Sequence, residues 1–375
     1  SVLALKPSTH RMSSFAKPLS LTCAALGGVA VGAAGVLLAQ RATAARQPRR
    51  SGRRLFVGVD IGGTTISVGI VDDDGVVQGD VQSVPLGNDH NPQTIATAVA
   101  RLLRSAMSST SLPITIHDLN GIGVCTPGLL DCERGVVEVA ANLKGWRDVP
   151  ITKLVAEALC VSDAIVFLEN DANTALLAEV WIGAAKGMRN VVLLTLGTGI
   201  GAGMLVDGHL LRGWKGYAGE LGHSILVPDG RSHGSAGVAG IFEGYASATA
   251  VVARAQEGGV PSDSALHGLE SFSCEDVFRH AAQGDRYAAD IVSETARYLA
   301  IGCINCSRSY DPEVILFTGG MSQAGEQLLS QVRRYFAKYH WNIMPVTLEV
   351  KLAASPANAG LIGAAYAARC AISGK

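Results

Sequence analysis

Residues 55–75 read LFVGVDIGGTTISVGIVDDDG, and residues 191–208 read VVLLTLGTGIGAGMLVDG. Each stretch has an apolar run, a turn rich in Gly and Thr, a second apolar run and an Asp-Gly turn, which is the pattern of a β-hairpin. The chain therefore carries the same hairpin unit twice. We expect one unit in each of two α/β domains, with both glycine turns facing the cleft between them.

Helical and extended patterns alternate around the two units. Residues 76–84 extend the first hairpin into an antiparallel meander, and residues 94–107 have the apolar spacing of a helix. Further helices are predicted at 151–159, 172–181, 290–309, 326–338 and 360–370, and further strands at 121–124, 165–168 and 314–318. The predicted division of the chain is a leader (1–54), an N-terminal domain (55–173), a C-terminal domain (174–356) and a final segment (357–375) that completes the N-terminal domain.

Composition narrows the class of protein. Of the 375 residues, 48% are hydrophobic and 17% are charged, which allows a large core and excludes a charged disordered chain. Residues 1–54 hold nine Lys or Arg and no acidic residue, and the other 22 basic and 32 acidic residues give the rest a net charge of −10. An acidic body argues against nucleic acid as a partner. The eight cysteines are scattered and are predicted to be reduced thiols.

The leader contains one apolar segment. Residues 19–39 carry no charge and are long enough to form a transmembrane helix. Six arginines follow this segment, so the positive-inside rule predicts a membrane anchor with the body in the cytosol, for example at the mitochondrial outer membrane. The alternatives are a mitochondrial or a cytoplasmic protein and, less favoured, a secreted one.

The two glycine turns predict a nucleotide site. Backbone N–H groups can approach a phosphate closely where side chains are absent, and a Thr hydroxyl adds a donor. Neither turn has the Gly-Lys-Ser/Thr of a P-loop, and strands rather than helices follow both turns. The candidate phosphate-binding residues are Gly62, Gly63, Thr64, Thr65, Gly197, Thr198 and Gly199. Asp60, just before the first turn, is the candidate holder of Mg²⁺ through water.

Polar residues follow a predicted strand at residues 169–173, which read ENDAN. Helix capping would account for one of them. Positions after the strands of an open α/β sheet also face the ligand crevice, so we interpret Asp171 as a general base. Glu220, His223 and Glu243 are residue types that could together bind neighbouring hydroxyls of a polyhydroxylated substrate, although each alone would more often be structural or a surface charge.

Taken together, these motifs resemble the ROK family of sugar kinases and sugar-responsive repressors, in the actin/hexokinase superfamily. The resemblance covers residues 55 to about 368, and its order and spacing make it specific. The agreeing segments are DIGGTT at Asp60, CTPGLLD at Cys125, ANLKGWRDVPI at Ala141, ENDANTALLAE at Glu169, LTLGTGIGAGML at Leu194, GELGH at Gly219, EGYAS at Glu243 and TGGMS at Thr318.

The resemblance implies an α/β, two-domain actin-like ATPase fold of the ribonuclease H-like type, with ATP and Mg²⁺ as cofactors. It implies Asp171 as the catalytic base and phosphate contacts from Thr64, Thr65 and Thr198. The implied sugar-binding residues are Asn142, Asn170, Glu220, His223 and Glu243, and Gly319 and Gly320 are implied near the nucleotide. The GWRDVPI segment is most similar to the glucokinases of the family.

One departure from the family concerns a structural zinc ion. The family binds it through the His of GELGH and three cysteines of a following C-x-C-G-x-x-G-C run. Here those three positions are Gly234, Ala236 and Ile241, and one nearby histidine, His233, cannot replace three thiolates. The sequence therefore predicts no bound metal other than the Mg²⁺ that accompanies ATP.

The expected function is ATP-dependent phosphorylation of the 6-hydroxyl of a hexose, with glucose as the first candidate. An N-acetylhexosamine kinase, for N-acetylmannosamine or N-acetylglucosamine, is the alternative enzyme. A sugar-sensing regulator with weak or no catalysis is the alternative of another class. The expected partners are a small sugar, the membrane through residues 19–39, and a second copy of the chain in a homodimer.

Overall fold

A computed structural model of the protein describes residues 53–233, 237–345 and 347–374. The first hairpin unit is present as predicted. Its three strands are antiparallel neighbours, and two further strands join them in parallel, in the order β3-β2-β1-β4-β8. These strands are β1 (Leu55–Ile61), β2 (Thr65–Asp72), β3 (Val77–Pro85), β4 (Leu119–Thr126) and β8 (Val166–Asn170).

The second hairpin unit begins a second sheet with the same topology. Three antiparallel strands are again followed by two parallel ones, in the order β11-β10-β9-β12-β13. These are β9 (Val191–Leu196), β10 (Ile200–Val206), β11 (His209–Leu210), β12 (Val314–Thr318) and β13 (Glu349–Leu352). The equal strand order confirms the duplication that the two glycine turns predict.

A third, small antiparallel sheet, absent from the sequence prediction, follows β4. Its strands are β5 (Leu129–Asp131), β6 (Val136–Val139) and β7 (Arg147–Val149). The helices of the described residues are α1 (Pro92–Ser109), α2 (Ile151–Leu159), α3 (Asp171–Ile182), α4 (Glu243–Ala246), α5 (Ala248–Gln256), α6 (Cys274–Ala282), α7 (Arg286–Tyr310), α8 (Glu326–Tyr339) and α9 (Ala359–Ser373). Helices α4, α5 and α6 are also additional to the prediction.

Each five-stranded sheet has its own apolar core. Helices α1 and α2 cover one face of the first sheet, and helices α5 to α8 supply the core of the second. Helix α9 packs on β1 and β4, and it also packs on α3, which contacts β10 of the second sheet. The approach of α9 is close, because a Cβ at Gly58 or Gly123 would overlap the helix backbone at Leu361 or Ala364. Helices α3 and α9 thus connect the two sheets.

The domain boundaries and the oligomeric state stay predictions. The chain from Arg53 onward clusters as one compact unit, so the predicted boundaries near residues 173 and 356 are not tested. The same holds for the expected homodimer, since one chain is described.

The predicted membrane anchor requires a correction. Among the residues that the structure describes, no helix is long and apolar enough to cross a bilayer. The longest, α7, carries charged side chains at Arg286, Asp290, Glu294, Arg297 and Arg308, which a bilayer interior would exclude. The segment predicted to span the membrane, residues 19–39, lies outside the described residues. The apolar N-terminal helix and the membrane as a partner are therefore not retained.

Candidate active site

The carboxyl ends of three parallel strands meet at one edge of the first sheet. The strand register places Asp60 of β1 beside Cys125 of β4, and Cys125 beside Glu169 of β8. Because parallel strands end together, residues that lie far apart in sequence converge here. Asn170 and Asp171 follow Glu169 directly, at the junction of β8 and α3.

Asp171 is the first residue of α3 and lines a cavity of about 570 Å³. The N–H of Ala172 donates to Asp171 Oδ1 at 2.9 Å and to the Asn170 side chain, also at 2.9 Å. Burial raises the pKa of the Asp171 carboxyl above its ordinary value, and the charge of Glu220 adds to this, while the N–H of Ala172 opposes it. The carboxylate still reaches solvent through the cavity. Asp171 is therefore surrounded by protein but open to a ligand.

Asp60 lies beside the first turn, close to the start of α9. A Cβ at Gly360, in the first turn of α9, would overlap the Asp60 carboxylate. Burial, and next the charge of Asp171, raise the pKa of the Asp60 carboxyl, and a hydrogen bond from Cys125 opposes the shift. Burial also raises the pKa of Cys125 well above its ordinary value, so it remains a neutral thiol. The carboxyls of Asp60 and Asp171 thus interact at the carboxyl end of the parallel strands of the first sheet.

An ion pair in the wall of the same cavity was not predicted. Glu169, which is 1% exposed, accepts from Arg212 Nε at 3.0 Å and from Arg212 Nη2 at 2.6 Å. The second Glu169 oxygen accepts from the Asn173 side chain at 2.8 Å and from the N–H of Asn170 at 3.0 Å. Arg212 follows β11, so this pair connects the two sheets next to Asp171. The ENDAN motif indicates Glu169, but no local pattern indicates Arg212.

Glu220 and His223 face the same cavity as Asn170 and Asp171. Glu220 directly precedes a short 3₁₀ segment, Leu221–His223, and the His223 N–H at its end donates to the Glu220 carbonyl at 3.1 Å. Their side chains meet at 3.1 Å between His223 Nδ1 and Glu220 Oε2. The predicted grouping of a carboxylate, an imidazole and Asp171 is therefore present.

Glu243 lies between His223 and the second glycine turn. Its Oε2 accepts from the N–H of Ile200 at 3.2 Å, and its Oε1 is 3.8 Å from His223 Nε2. The same Oε1 is 3.3 Å from Nδ1 of His233, a residue to which the sequence prediction gave no role. Glu243 thus joins the histidine cluster to the turn between β9 and β10.

The second glycine turn and Asn142 line a second cavity. Thr198, Gly199, Glu243 and Asn142 line this space of about 950 Å³, so Asn142 lines a different cavity from Asp171. A Cβ at Gly63 of the first turn would lie 3.3 Å from Asn142 Cβ, which places that turn nearby. The exposed Thr64, Thr65 and Thr198 side chains are free to meet a ligand.

Gly319 and Gly320 follow β12, which runs parallel to β9. Gly319 has a φ of +92°, and a Cβ there would lie 2.6 Å from the Leu196 carbonyl, just before the second turn. The structure places Gly319 against that turn, but neither glycine lines either of the two cavities described above.

Comparison with known proteins agrees with the family resemblance of the sequence motifs. The model of the ROK family matches residues 56–370. The chain is 34% identical over 320 residues to the glucokinase of Halalkalibacterium halodurans, covering 84% of this chain and 94% of that protein. Curated xylose repressors also match, at 27–29% identity over 59–76% of the chain.

Solved structures agree in fold and in sequence. The ROK hexokinase from Thermus thermophilus is 32% identical, with a TM-score of 0.71 and coverage of 86% of this chain and 100% of that one. A ROK glucokinase from Streptomyces griseus, solved with glucose and AMPPNP, is 32% identical, with a TM-score of 0.66 and coverage of 84% and 99%.

The relatives also bear on the predicted location. The curated glucokinases similar to this chain come from bacteria, including Thermotoga maritima, and the described residues contain no membrane-crossing helix. The predictions of a membrane-anchored and of a mitochondrial protein are corrected accordingly.

Proposed function

Because this chain belongs to the ROK family, we propose that it transfers the γ-phosphoryl group of ATP to the 6-hydroxyl of glucose. The glucokinases named above support the substrate, and the AMPPNP in the Streptomyces griseus structure supports ATP as the donor. The observation that carries the proposal is the position of Asp171, which lines the same cavity as Glu220 and His223.

Asp171 acts as the general base. Its carboxylate is open to the cavity and is held by the N–H of Ala172, so it can accept the proton of a hydroxyl that attacks the γ-phosphate in line. Asn170, which donates to the Gly128 carbonyl at 3.4 Å, Glu220 and His223 orient the sugar from the walls. Glu243 binds the sugar from the side of the second glycine turn.

The two glycine turns hold the triphosphate. Thr64, Thr65 and Thr198 are exposed at the turns, and the backbone N–H groups around them can donate to phosphate oxygens. Gly319 packs against the second turn. The nucleoside of ATP would lie beside it. Closure of the cleft about α3 and α9 would exclude water, which otherwise competes with the sugar as acceptor.

Asp60 is the residue that would hold Mg²⁺. Its carboxyl lies beside the first turn and feels the negative charge of Asp171, and such paired carboxyls favour a divalent cation. When bound with ATP, Mg²⁺ neutralises charge on the phosphoryl group that is transferred.

A sugar-sensing regulator is the second candidate, because xylose repressors match a large part of the chain. The two candidates differ in whether the bound sugar is consumed.

A coupled ADP-release assay decides between them. Glucose, mannose, N-acetylmannosamine and N-acetylglucosamine are each supplied with Mg²⁺ and ATP, and sugar binding is measured separately by calorimetry. We expect glucose to give the highest kcat/KM. A higher value for an N-acetylhexosamine would replace glucose as the substrate, and sugar binding without ADP release would favour the regulator.

A further inference from the structure

His233 lies on the segment that leads into α4, and its imidazole contacts a buried carboxylate. His233 Nδ1 is 3.3 Å from Glu243 Oε1, and the two side chains are 14% and 8% exposed. We propose that His233 is a positioning residue for sugar binding. It holds the Glu243 carboxylate in place. In the family's pattern, a structural zinc ion would fix this part of the chain. This inference rests on the proposed function.

The residues present do not fit a zinc ion. Structural zinc sites use four Cys or His ligands, but Gly234, Ala236 and Ile241 have no side-chain donor atoms. His223 is the fourth zinc ligand in the family's pattern. Here its two ring nitrogens face Glu220 and Glu243. No group of three or more His, Cys, Asp or Glu suited to a metal occurs among residues 53–233, 237–345 and 347–374.

Hydrogen bonds instead fix the segment on both sides of residues 234–236. On the first side, the N–H of Arg231 donates to the hydroxyl of Tyr245 at 2.8 Å. On the second side, the N–H of Gly240 donates to the Arg231 carbonyl at 2.8 Å, and the N–H of Phe242 donates to the Ser224 carbonyl at 2.8 Å. His233 therefore lies two residues from Arg231, whose backbone N–H is bound by Tyr245 of α4.

The Glu243 carboxylate has its other contacts on different elements. Its Oε2 accepts from the N–H of Ile200, whereas its Oε1 faces His233 on one side and His223 on the other. The His223 contact is longer, at 3.8 Å, so His233 provides the closer of the two imidazoles. With Nδ1 protonated, His233 donates to Oε1 and fixes the torsion of the carboxylate.

Loss of the imidazole would change how Glu243 meets a sugar. A buried carboxylate that loses a donor turns toward another group nearby, such as His223, or toward water. Either change alters the direction in which Oε1 accepts a sugar hydroxyl. Because the Ile200 N–H still holds Oε2 at the second turn, we expect the nucleotide side to be little affected.

Three variants test this proposal. His233→Leu removes the donor at similar size, and His233→Asn restores an N–H near the position of Nδ1. His117→Leu is the matched control, because His117 is exposed in a 3₁₀ segment of the first half and lines neither cavity. Each variant is measured for glucose binding by calorimetry without nucleotide, for both KM values, for kcat and for Tm.

We expect His233→Leu to weaken glucose binding and raise the glucose KM by about 10-fold, with the ATP KM and kcat within about twofold. His233→Asn should recover most of the loss, which a merely structural role would not predict. An unchanged glucose Kd in His233→Leu, an Asn variant no better than Leu, or equal rises in both KM values would each overturn the proposal.

Two further results separate this proposal from the proposed function. Glucose binding that depends on His233, in a protein without ADP release, would uphold the positioning role and reject the kinase. Absence of binding to every sugar in the panel would reject both. Metal analysis of the purified protein provides a last check, since one zinc per chain would contradict the replacement of the metal by His233.

Discussion

The two glycine turns occupy equivalent places in the duplicated fold but have different surroundings. In the first, between β1 and β2, the Gly62 N–H donates to the Thr65 carbonyl at 2.9 Å, and a Cβ at Gly63 would lie 3.3 Å from Asn142 Cβ. In the second, the Gly197 carbonyl accepts from the N–H of Ala248 at 2.9 Å, at the start of α5. The carboxylate of Glu243 also lies against the second turn.

This difference indicates separate roles for the first half, which is built on the sheet of β1, and the second half, which is built on the sheet of β9. The first half places two carboxyls of raised pKa, Asp60 and Asp171, at the ends of its parallel strands. The second half connects its turn to the proposed sugar-binding residues through Glu243 and the N–H of Ile200. We therefore expect changes in the first half to affect chemistry, and changes at the second turn to affect the binding of both substrates.

The largest effect should come from Asp171→Asn in the first half. The amide keeps the size and hydrogen-bonding capacity of the side chain but cannot take up a proton, so kcat should fall by ~10²–10⁴-fold. Both KM values should change little, because Glu220, His223 and the turns remain. Steady-state kinetics with ADP-release detection measures this. Turnover close to that of the unmodified protein would remove Asp171 as the base.

The second effect contrasts the turns directly. A Cβ at Gly199 would lie 2.5 Å from Glu243 Oε2 and displace it, whereas a Cβ at Gly62 meets only the Thr65 carbonyl at 3.5 Å, an ordinary contact. Overpacking of this kind costs about 1–3 kcal/mol, so Gly199→Ala should raise the KM values for glucose and ATP by roughly 5- to 150-fold.

Gly62→Ala should leave the glucose KM within about twofold, and Gly197→Ala, where a Cβ meets no atom within 4 Å, is the control inside the second turn. A glucose KM that rises equally in all three variants would show that the two turns do not differ in their connection to the sugar.

A third, smaller effect concerns pH. The charge of Glu220 is one of the causes that raise the pKa of Asp171, after burial. Glu220→Gln removes that charge, so the acidic limb of the kcat profile at saturating sugar should move to lower pH. Because Glu220 is half exposed, added salt should reduce the difference between the two profiles. A limb that stays in place would mean that Glu220 does not act on the base.

The fold was predictable where local patterns repeat. Strand β12 and helix α2 have the predicted bounds, because their apolar runs end at clear turn or polar residues. The small sheet β5 to β7 was missed since strands of three or four residues carry too little alternation to detect. The apolar run at residues 19–39 led to the wrong prediction of a membrane anchor, because length and charge alone were used.

The site was predictable where its residues are close in sequence. Glu220 and His223 are three residues apart, and Asn170 and Asp171 are adjacent, so their grouping follows from local motifs. Arg212 and Glu169 are 43 residues apart, and they meet only because the segment after β11 and the end of β8, from different sheets, line the same cavity. The contact of His233 with Glu243 likewise depends on tertiary contacts, such as the hydrogen bond from the Gly240 N–H to the Arg231 carbonyl.

The smallest effect should be on the thermal stability of the protein. It tests whether the ionised Asp60 carboxylate, which we propose holds Mg²⁺, destabilises the fold. Burial and the charge of Asp171 raise the pKa of Asp60 above 3.8, so the folded protein binds the Asp60 proton more tightly than the unfolded chain does. Stability is then lost as the pH rises from 3.8 through the folded-state pKa. Asp60→Asn cannot ionise, so its Tm should exceed that of the unmodified protein at pH 7, and the difference should shrink toward pH 4. Thermal unfolding at both pH values measures this, and a lower Tm for Asp60→Asn at pH 7 would show that the ionised carboxylate stabilises the fold.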